Sequence, residues 1–164
     1  MAVKNGSLRI SLQPNHCMDL SEFPMPTEGF VVTHFLTVQD AIVSANYYAN
    51  IFGGKLLHEG HPSFVKLANT WLIINEGGGP TPDKPGYHLE APSPDTRTFR
   101  SFLNIRVADI QQSYKDWKAR GAEFLTAPKD MGAEWRAYIK DPDGYIVEVG
   151  QVKPEVSPSL SNNG

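Results

Sequence analysis

The sequence predicts an α+β fold: two βαβββ modules forming a curled mixed sheet around a cleft. Three observations carry that expectation. Val38-Gln39-Asp40 opens a helical stretch that closes at Phe52-Gly53-Gly54, and Val107-Ala108-Asp109 opens another that closes at Arg120-Gly121-Ala122. Each stretch follows an alternating strand pattern and precedes further short strand-like runs. The copies lie roughly seventy residues apart, which fits one duplicated unit and not a solenoid of short repeats.

The first strand is expected over Val31–Val38. Val32, His34, Leu36 and Val38 share one side of the pleat, and Thr33, Phe35 and Thr37 the other. Asp40 stands where a helix N-cap belongs, Ala41, Ala45, Tyr48 and Phe52 follow at helical spacing, and Gly53-Gly54 supplies a left-handed stop. Short strands are expected over Lys55–His58, Phe64–Leu67 and Trp71–Asn75, separated by turn segments. The second copy opens with a strand over Phe102–Val107. Asp109 then caps a helix that buries Ile110, Tyr114 and Trp117, and Gly121 ends it. Strands follow around Glu123–Leu125, Trp135–Lys140 and Tyr145–Gly150, with Asp141-Pro142-Asp143-Gly144 as the hairpin turn between the last two.

These elements divide the chain into an N-terminal tail over 1–29, one domain over 30–151 and a C-terminal tail over 152–164. Within the domain, module one spans 30–76, a linker 77–99 and module two 100–151. The tails are rich in Pro, Ser and Asn and are expected to be disordered or draped over the surface. The linker, dense in Gly and Pro, is too punctuated for a regular element. It serves either as a plain connection or as a lid over the cleft. It lacks the Gly-Lys-Ser/Thr ending of a phosphate loop.

Composition narrows the function classes. A chain of 164 residues with 40% apolar and 20% charged residues fits an ordinary globular domain. A net charge of -3 without a basic block argues against nucleic acid as a partner. No apolar run approaches a membrane span, and the first twenty residues lack the apolar centre of a secretion signal. The single cysteine, Cys17, has no internal disulfide partner, so the cytoplasm is the expected compartment.

The paired Val-x-Asp helix starts, the Gly-Gly and Arg-Gly-Ala stops and the closing Asp141-Pro142-Asp143-Gly144-Tyr145-Ile146-Val147-Glu148 resemble the vicinal oxygen chelate superfamily. That group includes glyoxalase I, extradiol dioxygenases, fosfomycin-resistance proteins and metal-free bleomycin-resistance proteins. The resemblance covers roughly 30–151 and implies paired modules, commonly assembled as homodimers. It also implies, in metal-using members, a histidine on the first strand of each module and a glutamate on the last strand. Counted back from the capping aspartates, the histidine positions fall on Thr33 and Phe102, and only Glu148 matches. One carboxylate beside a threonine and a phenylalanine is a poor cage for a divalent ion. His34 is one residue away, and strand pleating points it toward the helices. His58 and His61 are expected as an exposed pair. The sequence therefore predicts neither metal nor cofactor, with a divalent metal as the alternative.

If the apolar strand sides pack on the helices, the opposite sides line the cleft. That set is Thr33, Phe35, Thr37, Phe102, Asn104, Arg106, Ile146 and Glu148, with Trp71, Trp135, Arg136 and Tyr138 as candidates of unfixed phase. Aromatic surface mixed with a few polar groups is the usual make-up of a small-molecule pocket. Glu148 is either a structural ion-pair partner of Arg106 or Arg136, or a carboxylate of raised pKa that acts as general base or ligand acceptor. Arg106 either clamps an anionic ligand or balances Glu148. The expected function is binding of a small organic molecule in a metal-free cleft. The alternatives are a metal-dependent lyase, isomerase or dioxygenase using Glu148 with a displaced His34 and a side chain from the strand around Glu76, and a metal-free enzyme with Glu148 as base.

Overall fold

In the computed structural model, which describes residues 23, 26–93 and 95–154, the two modules form two open mixed sheets. Module one runs β1 (His34–Val38), α1 (Ala41–Phe52), β2 (Lys55–His58), β3 (Ser63–Leu67) and β4 (Thr70–Glu76), in sheet order β1-β4-β3-β2. Module two runs β5 (Leu103–Arg106), α2 (Ile110–Ala119), β6 (Glu123–Phe124), β7 (Lys129–Asp130), β8 (Glu134–Lys140) and β9 (Ile146–Val152). Its sheet order is β5-β9-β8-β6, with β7 also paired to β8. In each copy the opening strand lies parallel to the closing one, and the inner strands are antiparallel. The βαβββ duplication expected from the sequence is thus the architecture.

Local chemistry sets the helix ends. The Asp40 carboxylate accepts from the N–H groups of Ile42 and Val43, at 2.9 and 3.0 Å, and Asp109 accepts from Gln112 N–H at 2.9 Å. Gly53 stops α1 at φ 74°, a left-handed conformation that costs a glycine little. Helix α1 buries Ala41, Ser44, Ala45, Tyr48 and Ile51 against β3 and β4. Helix α2 buries Ile110 fully, whereas Tyr114 and Trp117 are half-buried.

One core serves both modules: Leu36, Tyr48, Leu72 and Ile74 join Ile110, Ile139, Val147 and Val149 in a single buried cluster. Each such side chain contributes about 1.5–3 kcal/mol by leaving water. The Phe52 and Trp117 rings close it edge to face at 5.0 Å between centroids.

The Asp141–Gly144 turn does more than join β8 to β9. Asp141 and Asp143 are buried and grip module one. The Asp143 carboxylate accepts from Gln39 N–H at 2.6 Å and Ser44 Oγ at 2.5 Å, and Asp141 accepts from Tyr48 Oη at 2.8 Å. Tyr145 Oη returns the grip, donating to the Thr37 carbonyl at 2.9 Å. The turn is a clasp between the modules.

Several boundaries differ from expectation. Strand β1 begins at His34, so Thr33 precedes it, and Phe102 likewise precedes β5. Strand β7 has no counterpart in the sequence reading. Strand β9 runs to Val152, and beyond it Lys153 is anchored by Asp130 at 2.7 Å. Among the described residues the linker forms two isolated antiparallel bridges, Gly78 with Leu89 and Thr81 with Lys84, and no longer strand. Phe23, in the expected tail, is buried against module one. His16 and Cys17 lie outside the described residues. Among the described residues no helix is long and apolar enough to cross a membrane.

Candidate functional site

Strand register decides which side chains meet. Across module two, Asn104 pairs with Glu148 and Glu148 with Tyr138; on the next rung Arg106 pairs with Gly150 and Gly150 with Arg136. The side chains of Asn104, Arg106, Glu148, Tyr138 and Arg136 point away from the core face that carries Leu103, Ile105, Val147, Val149, Ala137 and Ile139. Glu148 is nearly buried, and its two oxygens are taken by neutral donors: Asn104 Nδ2 at 2.5 Å and Tyr138 Oη at 2.6 Å. The Tyr138 pKa is raised, first by this hydrogen bond and then by burial, so its hydroxyl stays protonated and donating.

Both arginines reach ion-pair distance of Glu148, but a nearer carboxylate engages them. Their close partner is Glu134 at the start of β8, which accepts from Arg106 Nη2, from Arg136 Nη2 and from Arg136 Nε, the last at 2.9 Å. Those hydrogen bonds, Arg106 first, hold the Glu134 carboxyl below its usual range. Glu148 is farther off, 4.0 Å from Arg106 Nη1 and 3.8 Å from Arg136 Nε. Gly150 makes this possible, because a Cβ there would run into the Arg106 guanidinium. Glu134 and Gly150 were missed in the sequence. The signal for Glu134 was its i, i+2 spacing from Arg136 on an alternating strand.

The other predicted residues divide. Phe102, 43% exposed, meets the Tyr138 ring edge to face at 6.2 Å, and Phe35 is 45% exposed. Both line a cavity of about 170 Å³ with His34, Leu36, Tyr48, Tyr145 and Ile146. Thr33 is half-buried, and Thr37 is buried with its carbonyl held by Tyr145. Trp135 is a correction: it pairs with Gln151 on the opposite face, against the core, because the alternation of Trp135, Ala137 and Ile139 turns it toward the helices. Arg97 and Phe99 of the linker line a second cavity, of about 370 Å³, with Glu123, Leu125, Lys140 and Ile146.

The candidate metal donors do not converge. His34 shares the core-side phase of Leu36 and Val38, and burial lowers its pKa. Glu76 is committed elsewhere, accepting from Ala41 N–H at 2.8 Å and from His61 Nδ1 at 2.8 Å. Burial pushes the Glu76 pKa up, but these hydrogen bonds outweigh it and the net direction is down. His61 is exposed, as expected, whereas His58 is half-buried beside the Phe64 ring. Among the described residues no three of His, Cys, Asp or Glu are grouped to hold a metal ion. At Glu148 itself both oxygens already accept, and two guanidiniums within 4.0 Å repel a cation. These residues do not fit a divalent metal.

Residues 15–149 match the Glyoxalase/Bleomycin resistance protein/Dioxygenase superfamily. The chain belongs to that superfamily. Superfamily relatives in sequence include a lactoylglutathione lyase of Pseudomonas aeruginosa, 27% identical over 88% of this chain and 94% of that protein. Another is a lactoylglutathione lyase of Arabidopsis thaliana, also 27% identical, over 85% of this chain but only half of the plant protein's length. Among solved structures, a glyoxalase/bleomycin resistance protein/dioxygenase from Nocardioides superposes with a TM-score of 0.62 at 18% identity, covering 85% of this chain and 93% of that one. TnmS3, an antibiotic binding protein from Streptomyces, superposes with a TM-score of 0.56 at 19% identity, covering 78% and 99%. Identities this low establish the superfamily fold and leave the activity to the site's own chemistry.

Proposed function

We propose that this chain binds a small organic molecule on the outward face of module two, without a divalent metal. The observation that carries this reading is the commitment of Glu148 to Asn104 and Tyr138 beside the Arg106–Glu134–Arg136 network. Such a surface offers hydrogen bonds and guanidinium forks, and the neighbouring Phe102, packed on Tyr138, offers apolar area. It suits a ligand with an anionic or acceptor group on an apolar body. The TnmS3 fold neighbour, an antibiotic binding protein, supports the same class of role. We include the homodimer in this proposal, to be checked by light scattering on the eluting protein.

The test combines two measurements on untagged protein. Elemental analysis after supplementation with zinc, nickel, manganese and iron is expected to give far less than one metal per chain. A thermal-shift screen of aromatic anions, antibiotics included, is expected to find a ligand that binds without conversion. Replacing Arg106 or Arg136 by Ala weakens that ligand about tenfold to a hundredfold. Stoichiometric metal, or catalytic conversion of the ligand, overturns the proposal.

The curated relatives favour a second reading, a lyase. On this chain its base is Glu148 and its hydrogen-bond donor Tyr138, and Glu148→Gln abolishes turnover if that reading holds.

A further inference from the structure

The same face of module one carries a different chemistry. Register places Phe35 beside Ile73, Ile73 beside Phe64 and Phe64 beside His58, a ladder apolar on three strands and closed by the His58 imidazole on the fourth, with Trp71 on the neighbouring rung. Phe23 lies on this ladder. Its ring meets Trp71 edge to face at 5.1 Å and Phe64 at 5.4 Å, and only 6% of the residue is exposed.

Beneath it Trp71 is itself 6% exposed, and its indole Nε1 is, among the described residues, the one buried side-chain polar atom without a hydrogen-bond partner. A buried indole N–H normally finds an acceptor. A phenyl ring fills the apolar space but has no acceptor to offer. A cavity of about 390 Å³ lined by Leu56–Glu59 adjoins the ladder at His58.

We propose that this face of module one is a separate subsite for a planar aromatic ring bearing a hydrogen-bond acceptor, and that Phe23 fills it until such a ring displaces it. The displacing ring takes over the edge-to-face contacts with Phe64 and Trp71, and its acceptor receives the Trp71 N–H. Phe23 then acts as a built-in competitor that sets an affinity threshold for the ligand. This subsite shares no residue with the charged cluster of module two.

The test uses the full chain and two probes of nearly equal shape, quinoline, which carries one ring nitrogen, and naphthalene, which carries none. Phe23→Ala is expected to bind quinoline about tenfold more tightly than wild type, because the competitor is gone. It is expected to prefer quinoline over naphthalene by about tenfold, the worth of one neutral hydrogen bond. Adding Trp71→Phe to Phe23→Ala removes the preference while naphthalene still binds. Unchanged quinoline affinity in Phe23→Ala, or equal affinity for the two probes, overturns the proposal.

Should Phe23→Ala fail to fold, wild-type protein labelled with 5-fluorotryptophan gives the answer by ¹⁹F NMR. Quinoline is expected to move the Trp71 resonance, assigned by Trp71→Phe, saturably, and a resonance that stays put overturns the proposal. The Arg106→Ala/Arg136→Ala variant must keep its quinoline affinity. A loss there overturns the claim of a separate subsite, whereas failure of aromatic anions to bind wild type bears on module two alone.

Discussion

The clasp at Asp141 yields a prediction that can be worked through from geometry. Asp141 is 3% exposed and accepts three hydrogen bonds: from Tyr48 Oη at 2.8 Å, Tyr145 N–H at 2.8 Å and Asp143 N–H at 3.1 Å. Burial raises its pKa from 3.8 to about 6, with the nearby Asp143 charge adding to the rise and the hydrogen bonds opposing it. The folded state therefore binds the Asp141 proton more tightly than the unfolded chain does. This group's penalty is fully present above pH 6 and relieved as pH falls through 6 toward 3.8. The gap corresponds to about 3 kcal/mol, of which about 2 kcal/mol is recovered between pH 7.5 and pH 4.5.

Asp141→Asn keeps the shape and removes the charge. The new Oδ1 accepts the two backbone N–H groups, and Nδ2 donates to the Tyr48 hydroxyl. Urea unfolding of both proteins at pH 7.5 and 4.5 is the assay. The stability of the Asp141→Asn variant minus that of wild type is expected to be about 2 kcal/mol more favourable at pH 7.5 than at pH 4.5. Asp141→Ala separates charge from hydrogen bonding, because it strands two backbone donors at about 1–3 kcal/mol each and falls below Asp141→Asn at both pH values. A difference between Asp141→Asn and wild type that is flat with pH, or that grows as pH falls, refutes the reasoning.

Three further outcomes follow from other contacts. Glu134→Gln removes the carboxylate that occupies Arg106 and Arg136, so an aromatic carboxylate such as 2-naphthoate binds about threefold to tenfold tighter by calorimetry, while stability changes by less than about 1 kcal/mol. Gly150→Ala displaces the Arg106 guanidinium but leaves the core untouched, so 2-naphthoate binding weakens several-fold with little change in melting temperature, read by calorimetry and scanning fluorimetry. Glu76→Gln weakens the support at the α1 N-terminus by about 0.5–1 kcal/mol at pH 7 in urea unfolding. Because the Glu76 pKa is depressed on folding, its stabilisation is present above about 4.5 and lost as pH falls below it, so the variant's deficit shrinks in acid.

How much of this was legible in the sequence depends on which physical rule applied. The helices were readable because Asp40, Asp109 and Gly53 are local signals whose geometry needs no distant partner. The outward positions of Asn104, Arg106 and Glu148 followed from pleating alone. Trp135 shows the two rules in conflict: its size and aromatic character suit a cleft, while its alternation with Ala137 and Ile139 places it on the core. What local rules could not supply were the long-range partnerships. Nothing near Asp141 and Asp143 distinguishes a hairpin turn from a clasp onto Tyr48 and Ser44, which lie 93 and 99 residues away in sequence. Phe23 falls among polar and Pro-rich residues, and it is buried where its ring packs on Phe64 and Trp71.

The duplication lets the two halves be compared position by position, and that comparison bears on function. Phe35 and Asn104 stand at the same distance before their capping aspartates, so the rung Phe35–Ile73–Phe64 in module one corresponds to Asn104–Glu148–Tyr138 in module two. One rung is apolar throughout; the other is a closed hydrogen-bond network. A scaffold that needed only stability would gain nothing from a nearly buried carboxylate on the second rung, since removing charge from water carries a cost that an apolar triplet avoids. The divergence of the two rungs instead matches two sites of different chemistry, an apolar one on module one and a hydrogen-bonding one on module two. On that division, exchanging Asn104, Glu148 and Tyr138 together for Phe, Ile and Phe leaves the fold intact in circular dichroism but removes binding of aromatic anions at module two.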